Sequence, residues 1–315
     1  MLVLMRILNK TSELLYLIAF LGSFLAMQLY GMTNVMAAEQ GDPVTSVFDM
    51  RANGIDYRIF VAAPKTAEND KPMPVIYMID GNSTFPMAVD VVKKRPQLRA
   101  LIVGIGYPTQ SRENIVRSRY YDLTPETPAE LIPSRGNGAD LPRTGGNAAF
   151  LNFIEQQVKP EIERRYAIDK NNQTLFGHSL GGLFTLHALF SERGSFQTYS
   201  AADPSVWWNN RSILKEKDRF IEQTTETGKP VKVLIETAGK SVMREGVDKD
   251  RAAQLKALRG GPNGRDIYQE LVALPGVSAS FHQFAGESHG SMLPYAVEDM
   301  LRFVLEDVKP VQPPE

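Results

Sequence analysis

Residues Leu175–Phe184 read LFGHSLGGLF, a serine between two glycines, Gly177 and Gly181, each two positions away. The run QTLF leading into it has the length and apolar character of a strand, and LGGLFTLHALF after it has those of a helix. A strand that turns at once into a helix at Gly-x-Ser-x-Gly forces the serine into unusual dihedrals, and the glycines leave room beside it. A glycine-softened start to a buried helix is the rival reading of the same residues. The strand before and the helix after favour the sharp turn, which stands Ser179 above the strand ends as a nucleophile. The Leu180 N–H then sits at a helix N-terminus, where it can face an oxyanion.

Outward from this turn, strands and helices alternate. TSVFDMRANGIDYRIFVAAP alternates in polarity around Asn53-Gly54, the dipeptide of a tight hairpin. PVIYMID (Pro74 to Asp80) and ALIVGIG (Ala100 to Gly106) are continuous apolar runs of the kind found in fully buried parallel strands. NAAFLNFIEQQVKPEIERRYAI has helical spacing. After the serine come the strand TYSAA, a helix near RSILKEKDRFIEQT, the strand VKVLIET, helices over DKDRAAQLKAL and GRDIYQELVAL, the strand VSASFHQF and a last helix SMLPYAVEDMLRFVLEDV. This order predicts an α/β protein with an open, mostly parallel sheet and helices on both faces. The stretch from about Pro108 to Gly146 is too long for a simple connector and is expected to form part of a cap over the site. The tail KPVQPPE is expected to fray.

The 315 residues carry 35 Lys+Arg against 36 Asp+Glu, so no global field favours nucleic acid, and any charged ligand must be read by local side chains. With no cysteine and four histidines, disulfides, thiolate chemistry and a histidine-rich metal site are set aside, and neither metal nor cofactor is expected. Residues 1–38 stand apart: Arg6 and Lys10 precede the apolar run Leu14 to Tyr30, and small residues near Ala37 and Ala38 suit cleavage. They are expected to be an export signal or an uncleaved membrane anchor, directing a single domain over residues 39–315 to a bacterial periplasm.

A serine needs a base within hydrogen-bond reach. In this topology the base comes last in the chain, after the final strand, where His289 stands in GESHGSM. His282 lies inside the strand and is expected to pack; His178 is a neighbour of the serine, and His187 is expected to be buried. The acid should follow VKVLI, which makes Glu236 the nearest candidate, with Glu245 and Asp248 further along the same loop. Without one of these, a Ser-His dyad would suffice. The second oxyanion donor is expected from MIDGNSTFP, as the Asn82 N–H; the same residues could instead form a helix start capped by Asn82 or Ser83.

Several motifs together resemble the bacterial putative-esterase family of α/β-hydrolases, which includes periplasmic siderophore esterases of the enterobactin-hydrolase type. They are IDG, RSRYYDLTP, FLNFIEQQVKPEIERRYAID, LFGHSLGGLFTLHALF, ADPSVWW and GESHGSM, and they span essentially the whole chain after the signal. The resemblance implies the α/β-hydrolase fold, Ser179 and His289 as the catalytic pair, and hydrolysis of ester bonds in tricatecholate macrolactones or their ferric complexes, with iron arriving on the substrate. The chain departs from that pattern in two places. Many relatives have Ser-Pro-Ser where this chain has Asp203-Pro204-Ser205, and a glutamate often follows the glycine matching Gly239, where Lys240-Ser241-Val242 stands here.

A ferric tricatecholate is strongly anionic and aromatic, so its site should combine arginines with flat rings. Arg112, Arg117, Arg119, Tyr120 and Tyr121 lie in the expected cap, and Trp207 and Trp208 offer large faces. The competing readings of these residues are an Arg119–Asp122 ion pair and tryptophans in the core. The activity read here is hydrolysis of a small-molecule ester, with a catecholate siderophore as the leading substrate. The alternatives are a general carboxylesterase acting on feruloyl or acetyl esters, an acyltransferase, and a non-catalytic siderophore-binding protein on the same scaffold.

Overall fold

The computed structural model describes residues 41–65, 72–133, 141–224, 228–240 and 260–306. The expected signal or anchor, Glu245, Asp248, the helix DKDRAAQLKAL and the proline-rich tail lie outside the described residues. Eight strands form one sheet in the order β1-β2-β4-β3-β5-β6-β7-β8. β1 (Gly41–Ala52) and β2 (Ile55–Lys65) make a hairpin whose turn residues Asn53 and Gly54 both have positive φ, 53° and 78°. Two such residues are what the tight turn between right-twisted strands requires.

β2 is antiparallel to β4 (Leu101–Gly106), and every later pair is parallel through β3 (Met73–Ile79), β5 (Ile168–His178), β6 (Thr198–Ala202), β7 (Val231–Lys240) and β8 (Val277–Ser288). The central strands are apolar without interruption because both faces are covered. Val75, Tyr77 and Ile79 of β3 enter one core with Phe150, Leu183 and Phe184. Ile76 and Met78 enter the other with Phe85, Val89, Met300 and Leu301.

The first core lies beneath α3 (Asn147–Phe153), α4 (Lys159–Arg165), α5 (Leu180–Ser191), α6 (Trp208–Arg211), α7 (Ile213–Gln223) and α8 (Gly264–Leu271). α1 (Gly81–Lys94) and α9 (Leu293–Leu305) cover the second. A five-residue π-helical segment, Ile154–Val158, joins α3 to α4.

The stretch expected to be a long cap loop contains a helix, α2 (Arg112–Leu123), capped by Ser111, whose hydroxyl accepts from the Asn114 N–H at 3.4 Å. Its last turn is anchored from inside. Asp122 is buried and accepts from the hydroxyls of Tyr57 on β2, at 3.0 Å, and Tyr107 after β4, at 2.9 Å. Burial pushes the Asp122 carboxyl up to about 7, against the two phenol hydrogen bonds that favour its charged form. α2 packs beside α5, so the segment over the strand ends is a docked helix.

Candidate active site

β5 ends at His178 and α5 begins at Leu180, leaving Ser179 alone at the turn with φ 63° and ψ −117°. Positive φ in a non-glycine residue is strained and persists only when the surroundings enforce it. Three contacts do so. The Ser179 N–H donates to Ala202 O at 2.9 Å, and the Ser179 carbonyl accepts from Leu183 N at 2.9 Å and Ser205 N at 3.0 Å. A side chain at Gly177 would overlap the Gly181 carbonyl, so the first glycine of the motif is obligatory. The third, Gly182, has a separate cause: a Cβ there would lie 3.0 Å from both Ala202 O and Pro204 Cα. The missing side chain lets the loop after β6 close on α5.

That loop carries the carboxylate that meets His289. Asp203 follows β6 directly at φ 38°, and its Oδ2 lies 2.6 Å from His289 Nδ1, while His289 Nε2 lies 3.0 Å from Ser179 Oγ. Asp203 is held by the end of β7, its N–H donating to Glu236 O at 2.8 Å and its Oδ1 accepting from Ala238 N at 3.3 Å. Because a carboxylate can only accept, Nδ1 carries the hydrogen and Nε2 is left free to accept from the serine. The Ser205 hydroxyl is 3.4 Å from Ser179 Oγ.

Glu236, expected as the acid, does not reach His289. Side chains of a strand alternate in direction, and Glu236 shares the face of Leu234, which packs into the core under α9. It is fully buried, faces Asp299, and its carboxyl is raised far above the ordinary range, chiefly by burial. The carboxylate that reaches His289 stands one strand earlier, at Asp203 in ADPSVWW, directly after β6.

His178 is more than a bystander. Its Nε2 lies 2.8 Å from His289 O, and the two rings lie 4.6 Å apart between centroids, tilted by 35°. A carbonyl only accepts, so Nε2 carries the hydrogen here. Loss of water around the ring, followed by the neighbouring His289, lowers His178 to about 4, which keeps it neutral at neutral pH. His187 is tied to Glu216 at 2.7 Å and His282 to Asp299 at 2.7 Å, both away from the serine.

The β3–α1 turn holds Asn82, the residue expected to offer an oxyanion donor. Asp80 takes φ 60°, and α1 starts at Gly81, so the Asn82 N–H lies in the first helical turn, where the helix itself offers no acceptor. Asn82 does not cap the helix with its side chain; it clamps the neighbouring loop, donating to Tyr107 O at 2.9 Å and accepting from Tyr107 N at 2.8 Å. Leu180 N–H occupies the first position of α5. β3 and β5 are adjacent and parallel, so these two helix N-termini emerge side by side.

The expected substrate residues separate into two groups. Trp208 is 1% exposed, meets Tyr120 edge-on at 5.4 Å and donates its indole N–H to Thr127 Oγ1 at 2.9 Å. Both rings are core and offer no face to a ligand. Arg119 binds Asp80 through two hydrogen bonds of 2.5 and 2.8 Å, so its charge is matched from within, and its partner is Asp80 where Asp122 was the sequence alternative. Arg112 and Arg117 are exposed on α2, Arg117 beside Glu113 at 3.3 Å, and Trp207 is half-buried. They are the members of the set still facing solvent, together with the half-buried Tyr121, whose ring lies under the Arg143 guanidinium at 4.7 Å.

A family model described as "Putative esterase" matches residues 51–244. Ferri-bacillibactin esterase BesA of Bacillus subtilis is 40% identical over 258 residues, 79% of this chain and 84% of that protein. The siderophore enterobactin esterase of Emericella nidulans is 34% identical over 272 residues, 79% of this chain and 89% of that protein. Among solved structures, the BES protein of Bacillus cereus superposes with a TM-score of 0.68 at 32% identity, covering 82% of this chain and 95% of that one.

Proposed function

The chain belongs to the putative-esterase family, and from that premise we propose that it hydrolyses the ester bonds of a catecholate siderophore through an acyl-enzyme on Ser179. The observation that carries the mechanism is the continuous run Ser179 Oγ, His289, Asp203, with separations of 3.0 and 2.6 Å. His289 Nε2 takes the serine proton as Oγ attacks the ester carbonyl. The N–H groups of Asn82 and Leu180, at two adjacent helix N-termini, receive the oxyanion. The protonated imidazole then gives its proton to the leaving alkoxide, and a water activated by the same nitrogen releases the acyl group. Asp203 holds the imidazole tautomer and offsets its charge. No step needs a cofactor; iron belongs to the substrate.

The substrate class rests on the relatives, whose names specify ferri-bacillibactin and enterobactin and whose length this chain nearly spans. Arg112 and Arg117 on α2 and the half-buried Trp207 support an anionic, aromatic ligand approaching over α5. Residues 1–38 support export to the periplasm, by cleavage or as an anchor. Ser179→Ala is expected to abolish ester hydrolysis and fluorophosphonate labelling while leaving the thermal unfolding curve in place. Retained turnover would overturn the nucleophile. Linear fragments of apo and ferric enterobactin, followed by mass spectrometry, test the substrate; turnover of feruloyl or acetyl esters with neither siderophore cleaved would reject it.

A further inference from the structure

On the sheet face opposite α5, a second cluster of ionisable groups takes no part in the ester chemistry. Glu236 of β7 and His282 of β8 are register partners, Asp299 of α9 lies over them, and one ligand atom from each lies within 4.8 Å of the others. Glu236 is 0% exposed, and no N–H or hydroxyl donor among the described residues meets its carboxyl oxygens; the one polar group in hydrogen-bond reach is the Asp299 carboxyl. The group it faces is a second carboxyl, Asp299, which already takes His282 Nδ1 at 2.7 Å. Around them the lining turns apolar, with Leu234 and Ala238 on β7 and the Phe284 ring 4.2 Å from the imidazole. Two facing carboxyl groups, one of them fully buried, must share either a proton or a cation between them.

We propose that Glu236, His282 and Asp299 form a binding site for one divalent transition-metal ion of the zinc type. An imidazole nitrogen with two carboxylate oxygens is a donor set that zinc accepts, whereas magnesium and calcium are held by oxygen alone. His282 and Asp299 are 21% and 19% exposed, which leaves a route for the ion and a place for water as a further ligand. The ion would replace the hydrogens that these side chains otherwise need between them and would tie β7, β8 and α9 together. Its role is structural. The Glu236 carbonyl accepts the Asp203 N–H at 2.8 Å, so the ion would stiffen the strand end on which the triad's acid is seated.

The test uses His289→Ala protein, which removes the imidazole at the serine as a competing ligand, stripped with EDTA and titrated with zinc chloride against a chromophoric chelator. One equivalent is expected to bind, raising the melting temperature by a few degrees, with magnesium giving no rise. Glu236→Gln and His282→Gln, each made in that background, are expected to weaken zinc binding by at least about tenfold with the circular dichroism spectrum unchanged. If one variant fails to fold, the other decides. No zinc binding by the His289→Ala protein, undiminished binding in the folded variants, or an equal effect of magnesium would each overturn the site. Hydrolysis is not measured, so failure here leaves the esterase mechanism standing.

Discussion

Replacing Asp203 by asparagine separates the two carboxylates that could have served the triad. In the transition state the imidazole is positive, with its charge centre about 4 Å from a carboxylate in contact, and at an effective dielectric near 20 that attraction is about 4 kcal/mol. Asp203 and His289 are 25% and 40% exposed, so water screens the pair, and about half is retained, ~2 kcal/mol. A second loss comes from the tautomer. An asparagine NH2 directed at Nδ1 makes that nitrogen an acceptor and moves the hydrogen to Nε2, which then points a donor at Ser179 and provides no base. Allowing ~1–2 kcal/mol for that misassignment gives ~3–4 kcal/mol, or about 10²–10³-fold in kcat. Glu236→Gln, on the other face of β7, is expected to change kcat less than about threefold. The assay is hydrolysis of p-nitrophenyl butyrate at neutral pH, with thermal melts to show that each variant is folded. An Asp203→Asn protein within threefold of the parent, or a collapse confined to Glu236→Gln with its melt unchanged, would refute the assignment.

Acid should unfold the protein partly through His178. Its folded value of about 4 lies below the ordinary ~6.5, so between the two the unfolded chain binds the extra proton; stability is full above ~6.5 and is lost as pH falls towards 4, by roughly 2–3 kcal/mol. Urea titrations across that range should show the slope, and His178→Gln should flatten it; an equal slope in the variant would assign the loss to other groups. The tryptophans should part company in the same way as their burial. Trp208→Ala, which empties a core position and strands Thr127, should cost about 3–5 kcal/mol with KM little changed, whereas Trp207→Ala should cost under about 1 kcal/mol and raise KM for a catecholate ester. A destabilised Trp207 variant with unaltered KM would remove that ring from the binding surface.

Most of the sheet was legible because its strands are buried on both faces, so that PVIYMID and ALIVGIG are apolar without a break and mark themselves. The Asn53-Gly54 hairpin was equally plain, since few dipeptides accept two positive φ values. Helix α2 was not. In SRENIVRSRYYDL the few residues that pack on the first core, Ile115, Val116, Tyr120 and Leu123, are interleaved with arginines, and buried polar anchors complete the hold: Asp122 under two tyrosine hydroxyls and Arg119 on Asp80. A helix held partly by buried polar contacts presents only a weak hydrophobic period to read.

The hydrogen-bonded pair Ser179 and His289 was legible for a local reason, and its third member Asp203 illegible for a non-local one. Ser179 is marked by steric necessity at Gly177, and His289 by its place after the last strand. Parallel strands all deliver their C-terminal ends to one edge of the sheet, so β6 and β7 both end within reach of the His289 loop, and topology alone permits an acid from either. Which one serves is decided by parity and by packing. In VKVLIET the residue at the strand end with a carboxylate points to the α9 face, and the apolar run over residues 233–235 before it gives no alternation from which to infer that direction. At the end of β6 the chain turns at φ 38°, and Gly182 lets the turn close on α5, which swings Asp203 back over the sheet edge towards His289. The glycine beyond the serine motif and the aspartate after β6 are thus two halves of one contact: the first makes room for the loop, and the second uses that room to hold the His289 imidazole.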